Sequence, residues 1–309
     1  MNLLITGVHG FIGNNLVDSL MDQHTIYGLD ILKTYKKGIE KTFNWNELDA
    51  IPMLDTVIHL AGKAHDIKKQ SNSQDYFDIN TGLTKQIFDW FLLTDAKKFI
   101  FFSSVKAAAE SVKENVLTEE VSPSPKGPYG ESKLAAEKYI LQHATPNKQV
   151  YILRPCMIHG PGNKGNLNLL FKLQQKGLPW PLGAFDNSRS FCAIDNIIFV
   201  VQQLLGHEIE SGVYQVADDE ASSTNDIIKL LALSQNKKAR IWNIPVTLMK
   251  FIAQLGDLLH LPLNSRRLKK LTESYIVSNR KIKQVLNIDK MPVRAMDGLM
   301  KTFNSFENN

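Results

Sequence analysis

A tyrosine and a lysine stand four residues apart at Tyr129 and Lys133, and a serine, Ser104, precedes the tyrosine by 25 positions. Side chains four apart on a helix share a face. The chemistry this allows is proton transfer to or from the oxygen of a hydroxyl or ketone whose carbon exchanges a hydride. A free phenol titrates near ~10, too high for easy exchange at neutral pH, and an ammonium beside it is expected to favour the phenolate. Ser104, at the end of a strand-like run, would hydrogen-bond the reacting oxygen and align it with the phenol. A tyrosine and lysine at this spacing are common on helices for no catalytic reason, so the reading depends on what accompanies them.

What accompanies them is a glycine-rich turn, Gly7-Val8-His9-Gly10-Phe11-Ile12-Gly13, placed directly after an apolar strand and opening a helix. Glycines at these places keep the turn tight, let the backbone approach a pyrophosphate and let the helix pack closely on its strand. The phosphates then rest on amides at the helix N-terminus. Asp30 lies 17 residues past Gly13, at the end of the second strand-like run, where a carboxylate can accept bonds from an adenosine ribose. A carboxylate there repels a 2′-phosphate, so NAD is expected over NADP, although the nearby Lys33 and Lys36 keep NADP open. In such a site Lys133 can also hold the nicotinamide ribose.

The elements that must position these groups alternate. Strands are predicted at Leu3 to Ile5, Thr25 to Leu29, Thr56 to Leu60, Lys98 to Phe102 and Val150 to Leu153. Helices are predicted at Phe11 to Met21, Asn80 to Leu93 and Leu134 to Gln142. Alternation of this kind implies an α/β fold with a doubly wound parallel sheet, a Rossmann arrangement whose ligands sit at the carboxyl ends of the strands. After about Pro155 the pattern loosens into turn-rich segments. We therefore expect a dinucleotide-binding domain over residues 1–155. Residues 156–309 would be mainly a smaller substrate-binding lobe, partly interleaved with the first domain.

The bulk properties exclude several classes. The 309 residues carry a net charge of +5 in short, scattered basic stretches, which suits a solvated surface or a small anionic ligand and gives no reason to expect nucleic acid. Cys156 and Cys192 have apolar neighbours, as reduced buried thiols of the cytoplasm do. The opening residues do not resemble a signal peptide, and no run approaches the ~18 apolar residues of a membrane span. Val246 to Leu261 is broken by Lys250, Gln254 and Asp257 at helical spacing. It is expected to be an amphipathic helix packed on the body, with stable membrane insertion excluded and a peripheral contact left open. No Cys/His spacing suggests a metal.

With these residues in view, the chain resembles the extended short-chain dehydrogenases/reductases of the NAD-dependent epimerase/dehydratase family over nearly its whole length. The resemblance is carried by TGxxGFIG at Thr6 to Gly13, His59-Leu60-Ala61-Gly62, Asn80, the FxSS element ending at Ser104, Pro128-Tyr129-Gly130 with Lys133, and Arg154-Pro155 before Gly160-Pro161-Gly162. It implies that Leu60, Ala61 and Gly62 line the cofactor, that Asn80 supports the sheet beneath it, and that Ser103 and Pro155 border the site. It also implies a homodimer joined by a helix pair from each subunit.

The second half resembles, more narrowly, bacterial surface-polysaccharide reductases. The similar stretches are Ser104-Val105-Lys106 with its small followers and Glu110, the GPGNKGNLNLL run from Gly160, and the LPxPLGAxxNxRS run from Leu178. That resemblance implies a UDP-sugar substrate contacted by His65, Lys106, Asn166, Asn168, Arg189 and Arg267. Arg189 would face the diphosphate with its planar fork of donors. The implied reaction is NAD(P)H-dependent reduction of a UDP-2-acetamido-2,6-dideoxy-4-hexulose to UDP-N-acetyl-quinovosamine or UDP-N-acetyl-fucosamine. The alternatives are a nucleotide-sugar 4-epimerase and a dinucleotide-binding protein without turnover. Against a standard UDP-galactose epimerase, Ala107-Ala108-Ala109 stands where that enzyme carries Tyr-Gly. Against a dehydratase, no Asp-Glu pair follows Ser104.

Overall fold

The structure is a computed structural model in which residues 1–64, 72–112, 116–163, 165–259 and 263–307 are described. Strand β1 (Asn2–Thr6) leads into helix α1 (Phe11–Leu20), and β2 (Thr25–Leu29), β3 (Lys41–Phe43) and β4 (Thr56–His59) follow. Helix α2 (Ser73–Tyr76), a π-helical turn over Phe77–Gly82 and α3 (Leu83–Leu93) then reach β5 (Lys98–Phe102). The short α4 (Val105–Ala108) and the long α5 (Pro128–His143) precede β6 (Gln149–Pro155). Beyond it come β7 (Met157–His159), α6 (Asn166–Gln175), β8 (Phe191–Ala193), α7 (Ile194–Gly206) and β9 (Gly212–Val216). The chain closes with α8 (Thr224–Ser234), α9 (Val246–Leu258), α10 (Ser265–Thr272), α11 (Arg280–Leu286) and α12 (Ala295–Glu307).

Seven strands form one parallel sheet in the order β3-β2-β1-β4-β5-β6-β9. A sheet covered on both faces needs strands that are apolar on both sides. The run Phe99-Ile100-Phe101-Phe102 in β5 is buried throughout. Alternate side chains serve opposite faces. Leu3, Ile5, Ile58, Ile100 and Leu153 meet α1 and α7 through Leu16, Val17, Leu20, Ile197, Val200 and Leu204. Leu4, Val57, Phe99, Phe101 and Ile152 meet α3 and α5 through Ile87, Phe88, Phe91, Ala136 and Ile140. The chain leaves β1 in one direction and β4 in the other, which opens a crevice at the carboxyl ends of these two strands. The doubly wound Rossmann sheet read from the alternation is the fold observed.

Several elements differ from the sequence reading: β3 is an added strand, and the helix expected from Asn80 begins as a π-helical turn that passes into α3 at Leu83. Helix α5 begins at Pro128, six residues before the predicted Leu134, because Pro128 suits a first helical position and Gly127 turns into it at φ +89°. The segment after Pro155 is more regular than its turn signals suggest: α7 is a continuous 13-residue helix, and β9 extends the main sheet beside β6. A third apolar cluster gathers α6, α8, α9, α10 and α12 apart from the two clusters that flank the sheet. Helix α9 packs there only through Met249, Ala253 and Gly256 and leaves its larger apolar side chains exposed. No helix among the described residues is long and apolar enough to cross a membrane. Cys156 and Cys192 are free and buried, and burial raises both thiols well above their ordinary range.

Candidate active site

Helix α5 carries Tyr129 in its first turn and Lys133 one turn later, at the crevice end of the sheet. Ser104 is the N-cap of α4 and accepts the Lys106 amide at 3.2 Å. The two helices touch at Gly130, where an added Cβ would run into the Lys106 carbonyl oxygen. This close approach sets Ser104 beside the Tyr129 phenol, near enough to act on its proton affinity. Lys133 is 5% exposed, and its Nζ donates to the Phe102 carbonyl at 2.8 Å.

The expected acidification of Tyr129 is not found. Burial pushes the phenol up; the Ser104 hydroxyl opposes this, and Tyr76 adds to the rise. Lys133 is not among the groups that move it, because its ammonium turns into the sheet toward Phe102 and the Phe101 ring. The lysine itself is brought down to about 8 by burial, with the Glu137 carboxylate opposing the fall.

Glu137 extends the series Tyr129, Lys133 at the next four-residue step, and the sequence reading passed over it. Its carboxylate, 1% exposed, accepts Arg154 Nε at 2.9 Å and Nη2 at 2.5 Å, and it also takes a short bond from the Ser103 hydroxyl. Ser103 therefore turns its side chain into this buried cluster, away from the crevice. The signal that was available is the helical spacing of 129, 133 and 137 with an arginine at 154.

The glycine turn fits a dinucleotide on steric grounds. Gly7 has φ +65°, and a Cβ there would lie 2.9 Å from the Ala61 amide nitrogen. A Cβ on Gly13 would lie 2.5 Å from the Val8 carbonyl oxygen. The turn is thus packed against both its own helix and the strand-end residues Leu60 to Gly62. Helix α1 starts after Gly10 with no side-chain cap on its first amides, Phe11, Ile12 and Gly13, so these point at whatever anion the turn holds. The Phe11 ring lies beside Gly160 and Gly162, which brings the segment after Pro155 to the same crevice. Pro155 ends β6 opposite Val216.

Asp30 is 9% exposed at the end of β2 and accepts the His9 and Leu32 amides, each at 3.1 Å. The two lysines that left NADP open are engaged elsewhere, Lys33 with Glu47 at 2.5 Å and Lys36 with Asp18 at 2.6 Å.

Asn80 is fully buried between the loop after Gly62 and α5. It accepts the Lys63 amide at 2.7 Å and donates to the Lys63 carbonyl at 3.1 Å and to the Ser132 hydroxyl at 2.9 Å, so it ties the loop after Gly62 to α5. Behind it runs a buried chain. The Thr84 hydroxyl donates to the Asn80 carbonyl at 2.6 Å and so accepts from His59 Nε2 at 2.9 Å. His59 Nδ1 then accepts from the Thr6 hydroxyl at 2.6 Å, and Thr6 Oγ1 accepts the Leu60 and Ala61 amides at 3.1 and 3.0 Å. Burial, with the Lys133 charge, keeps His59 neutral. It is a core histidine, as its apolar strand implies.

The remaining predicted positions divide. Lys106 lies 4.5 Å from the centre of the Tyr275 ring, and both line a cavity of about 90 Å³ with Arg189 and Glu273. Tyr275 donates to the Ala109 carbonyl at 2.7 Å, while Ala107 and Ala108 are fully buried. The ring beside this turn thus comes from the segment after α10. Arg189 donates through Nε to the Glu273 carbonyl at 3.0 Å and through Nη2 to that of Lys270, so it caps the carboxyl end of α10 while lining the cavity. Asn168 is used locally, donating to the Asn163 carbonyl at 2.6 Å. Asn166 is the first residue of α6. Arg267 is exposed in the first turn of α10, at the end opposite Arg189. His65 lies outside the described residues.

Residues 3–217 match the NAD dependent epimerase/dehydratase family, and the chain belongs to that family of NAD(P)-dependent enzymes. It is 30% identical over 259 residues to a UDP-glucose 4-epimerase of Vibrio cholerae, covering 79% of this chain and 78% of that protein. It is 28% identical to a GDP-6-deoxy-D-mannose reductase of Pseudomonas aeruginosa, over 74% of this chain and 79% of the other. Among solved structures, the UDP-glucuronic acid 4-epimerase from Bacillus cereus in complex with NAD superposes with a TM-score of 0.78 at 20% identity, over 100% of this chain and 97% of that one.

Proposed function

We propose that this protein is a nucleotide-sugar 4-ketoreductase that converts a UDP-2-acetamido-2,6-dideoxy-4-hexulose into the corresponding UDP-N-acetyl-6-deoxyhexosamine. The turn from Gly7 to Gly13, Asp30 and the backbone of Leu60 to Gly62 hold the dinucleotide. When bound, the nicotinamide supplies a hydride to the sugar carbonyl carbon. Tyr129 gives its phenolic proton to the developing alkoxide, and Ser104 hydrogen-bonds the same oxygen. The proton that Tyr129 gives up is restored from solvent before the next turnover, and Lys133 would hold the nicotinamide ribose. Lys106 and Arg189 provide positive charge at the substrate side.

The observation that carries this reading is the placement of Ser104, the N-cap of α4 directly after β5, and of Tyr129, in the first turn of α5, at the crevice that the glycine turn also borders. Burial raises the proton affinity of the Tyr129 phenol, which suits it as a donor to a ketone oxygen. The runs at Ser104 to Glu110, Gly160 to Leu170 and Leu178 to Ser190, similar to those of surface-polysaccharide reductases, support the same substrate class.

The second reading is a 4-epimerase, favoured by the 30% identity to the Vibrio cholerae enzyme. Incubation with the 4-keto sugar and NADH or NADPH separates the two. A reductase consumes one reduced cofactor per product formed. Interconversion of UDP-N-acetylglucosamine and UDP-N-acetylgalactosamine with no net change in cofactor would refute the reductase reading. In the same proposal the working form is a homodimer, for which light scattering should give twice the chain mass.

A further inference from the structure

Helix α9 has three faces where a helix packed on a globular body needs two. At about 100° per residue, the buried Met249, Ala253 and Gly256 make one narrow arc. The exposed Thr247, Lys250, Gln254 and Asp257 make a second. The third holds Leu248, Phe251, Ile252, Leu255, Leu258 and Leu259, which are between 37% and 74% exposed. Six large apolar side chains on one arc of one helix form a contiguous patch, the kind of surface that marks an interaction site. Trp242, 56% exposed, lies just ahead of the helix.

The charge around this patch is one-sided. Between Lys237 and Thr272 the chain has eight Lys and Arg and a single acid, while the rest of it has 28 Lys and Arg against 30 Asp and Glu. That acid, Asp257, accepts the Ser265 amide at 3.1 Å. Arg266, Arg267, Lys269 and Lys270 are exposed on the adjoining helix α10, whose only buried residue is Leu268. An apolar stripe with an aromatic residue, bordered by Lys and Arg, has the composition of a helix that lies in a lipid interface. A second copy of the chain is a poorer occupant: a self-complementary contact places the same patch on both subunits, and here it would set two basic segments against each other.

We infer that α9 docks this enzyme on an anionic lipid surface, the apolar stripe entering the acyl boundary and the basic residues of α10 meeting the headgroups. The far end of α10 holds Arg189, which lines the cavity beside Lys106. Docking therefore presents the substrate-binding lobe, rather than the dinucleotide turn, to the membrane. The inference stands independently of which sugar reaction the crevice performs.

The test is sedimentation of the full chain with vesicles. With equimolar phosphatidylglycerol and phosphatidylcholine, the bound fraction at low salt should exceed that on pure phosphatidylcholine at least tenfold, and it should fall as salt rises. Phe251→Asp with Leu255→Asp should abolish sedimentation while leaving the melting temperature and NAD binding unchanged. Arg266→Gln with Lys269→Gln, which spares the apolar stripe, should weaken binding and flatten its salt dependence. Failure of the unmodified protein to sediment with the anionic vesicles would overturn the inference. So would equal binding by the aspartate variant, or a concentration-dependent dimer lost in that variant without any vesicle binding.

Discussion

Glu137 grips Arg154 at two points in the core, with Nε at 2.9 Å and Nη2 at 2.5 Å, one helical turn below Lys133. The pair is all but inaccessible, with side chains 1% and 5% exposed. It fixes α5 to β6 and keeps a negative charge beneath Lys133, where it raises the lysine's affinity for a proton.

Breaking that pair from one side should cost more than removing it. Arg154→Met leaves a buried carboxylate without its cation and is expected to destabilise the protein by about 3–5 kcal/mol. The double variant Arg154→Met, Glu137→Leu should recover most of this loss. Urea denaturation of the two variants measures the difference; equal losses would mean the buried charge is compensated elsewhere.

Lys133 carries a pH dependence of defined sign. Its value of about 8 lies below the ~10.4 of an exposed lysine. The folded state therefore binds fewer protons than the unfolded state between these limits. Its unfavourable burial is felt in full below pH 8 and fades as pH rises toward ~10. Lys133→Met should accordingly stabilise the protein at pH 7, on the order of 2 kcal/mol, with the gain shrinking at pH 9.5. Turnover of the unmodified enzyme should decline as pH rises through about 8, where the ammonium is lost.

Tyr129→Phe removes the proton donor and leaves the glycine turn untouched. Turnover is expected to fall roughly 10²–10⁴-fold, with NAD affinity by fluorescence titration within a factor of about two. Ser104→Ala should lower kcat less, because the phenol remains. A near-normal rate for the phenylalanine variant would take Tyr129 out of the mechanism.

Asp30 should decide the cofactor. With Lys33 and Lys36 held by Glu47 and Asp18, neither lysine offsets its charge toward a 2′-phosphate. Asp30→Ala is predicted to weaken NADH at least tenfold (about 1.4 kcal/mol) while leaving NADPH unchanged or improved. Paired titrations of the two cofactors give the ratio, and parallel losses would contradict this role.

The parts of this protein that follow from local chemistry could be read before any coordinates. The glycine turn, the strand-and-helix alternation and the spacing of Ser104, Tyr129 and Lys133 are patterns within short windows, and backbone geometry turns such patterns into elements directly. Folding supplied what depends on depth and on distant partners. Proton affinity follows desolvation and neighbours, so Tyr129 rises where an ammonium four positions away suggested a fall. Ser103, Glu137 and Arg154 meet only because α5 crosses the ends of β5 and β6. Tyr275 reaches Lys106 from far along the chain, and α9 shows which of its apolar faces the core leaves uncovered. A residue's spacing sets the direction of its side chain; what lies in that direction is set by the rest of the chain.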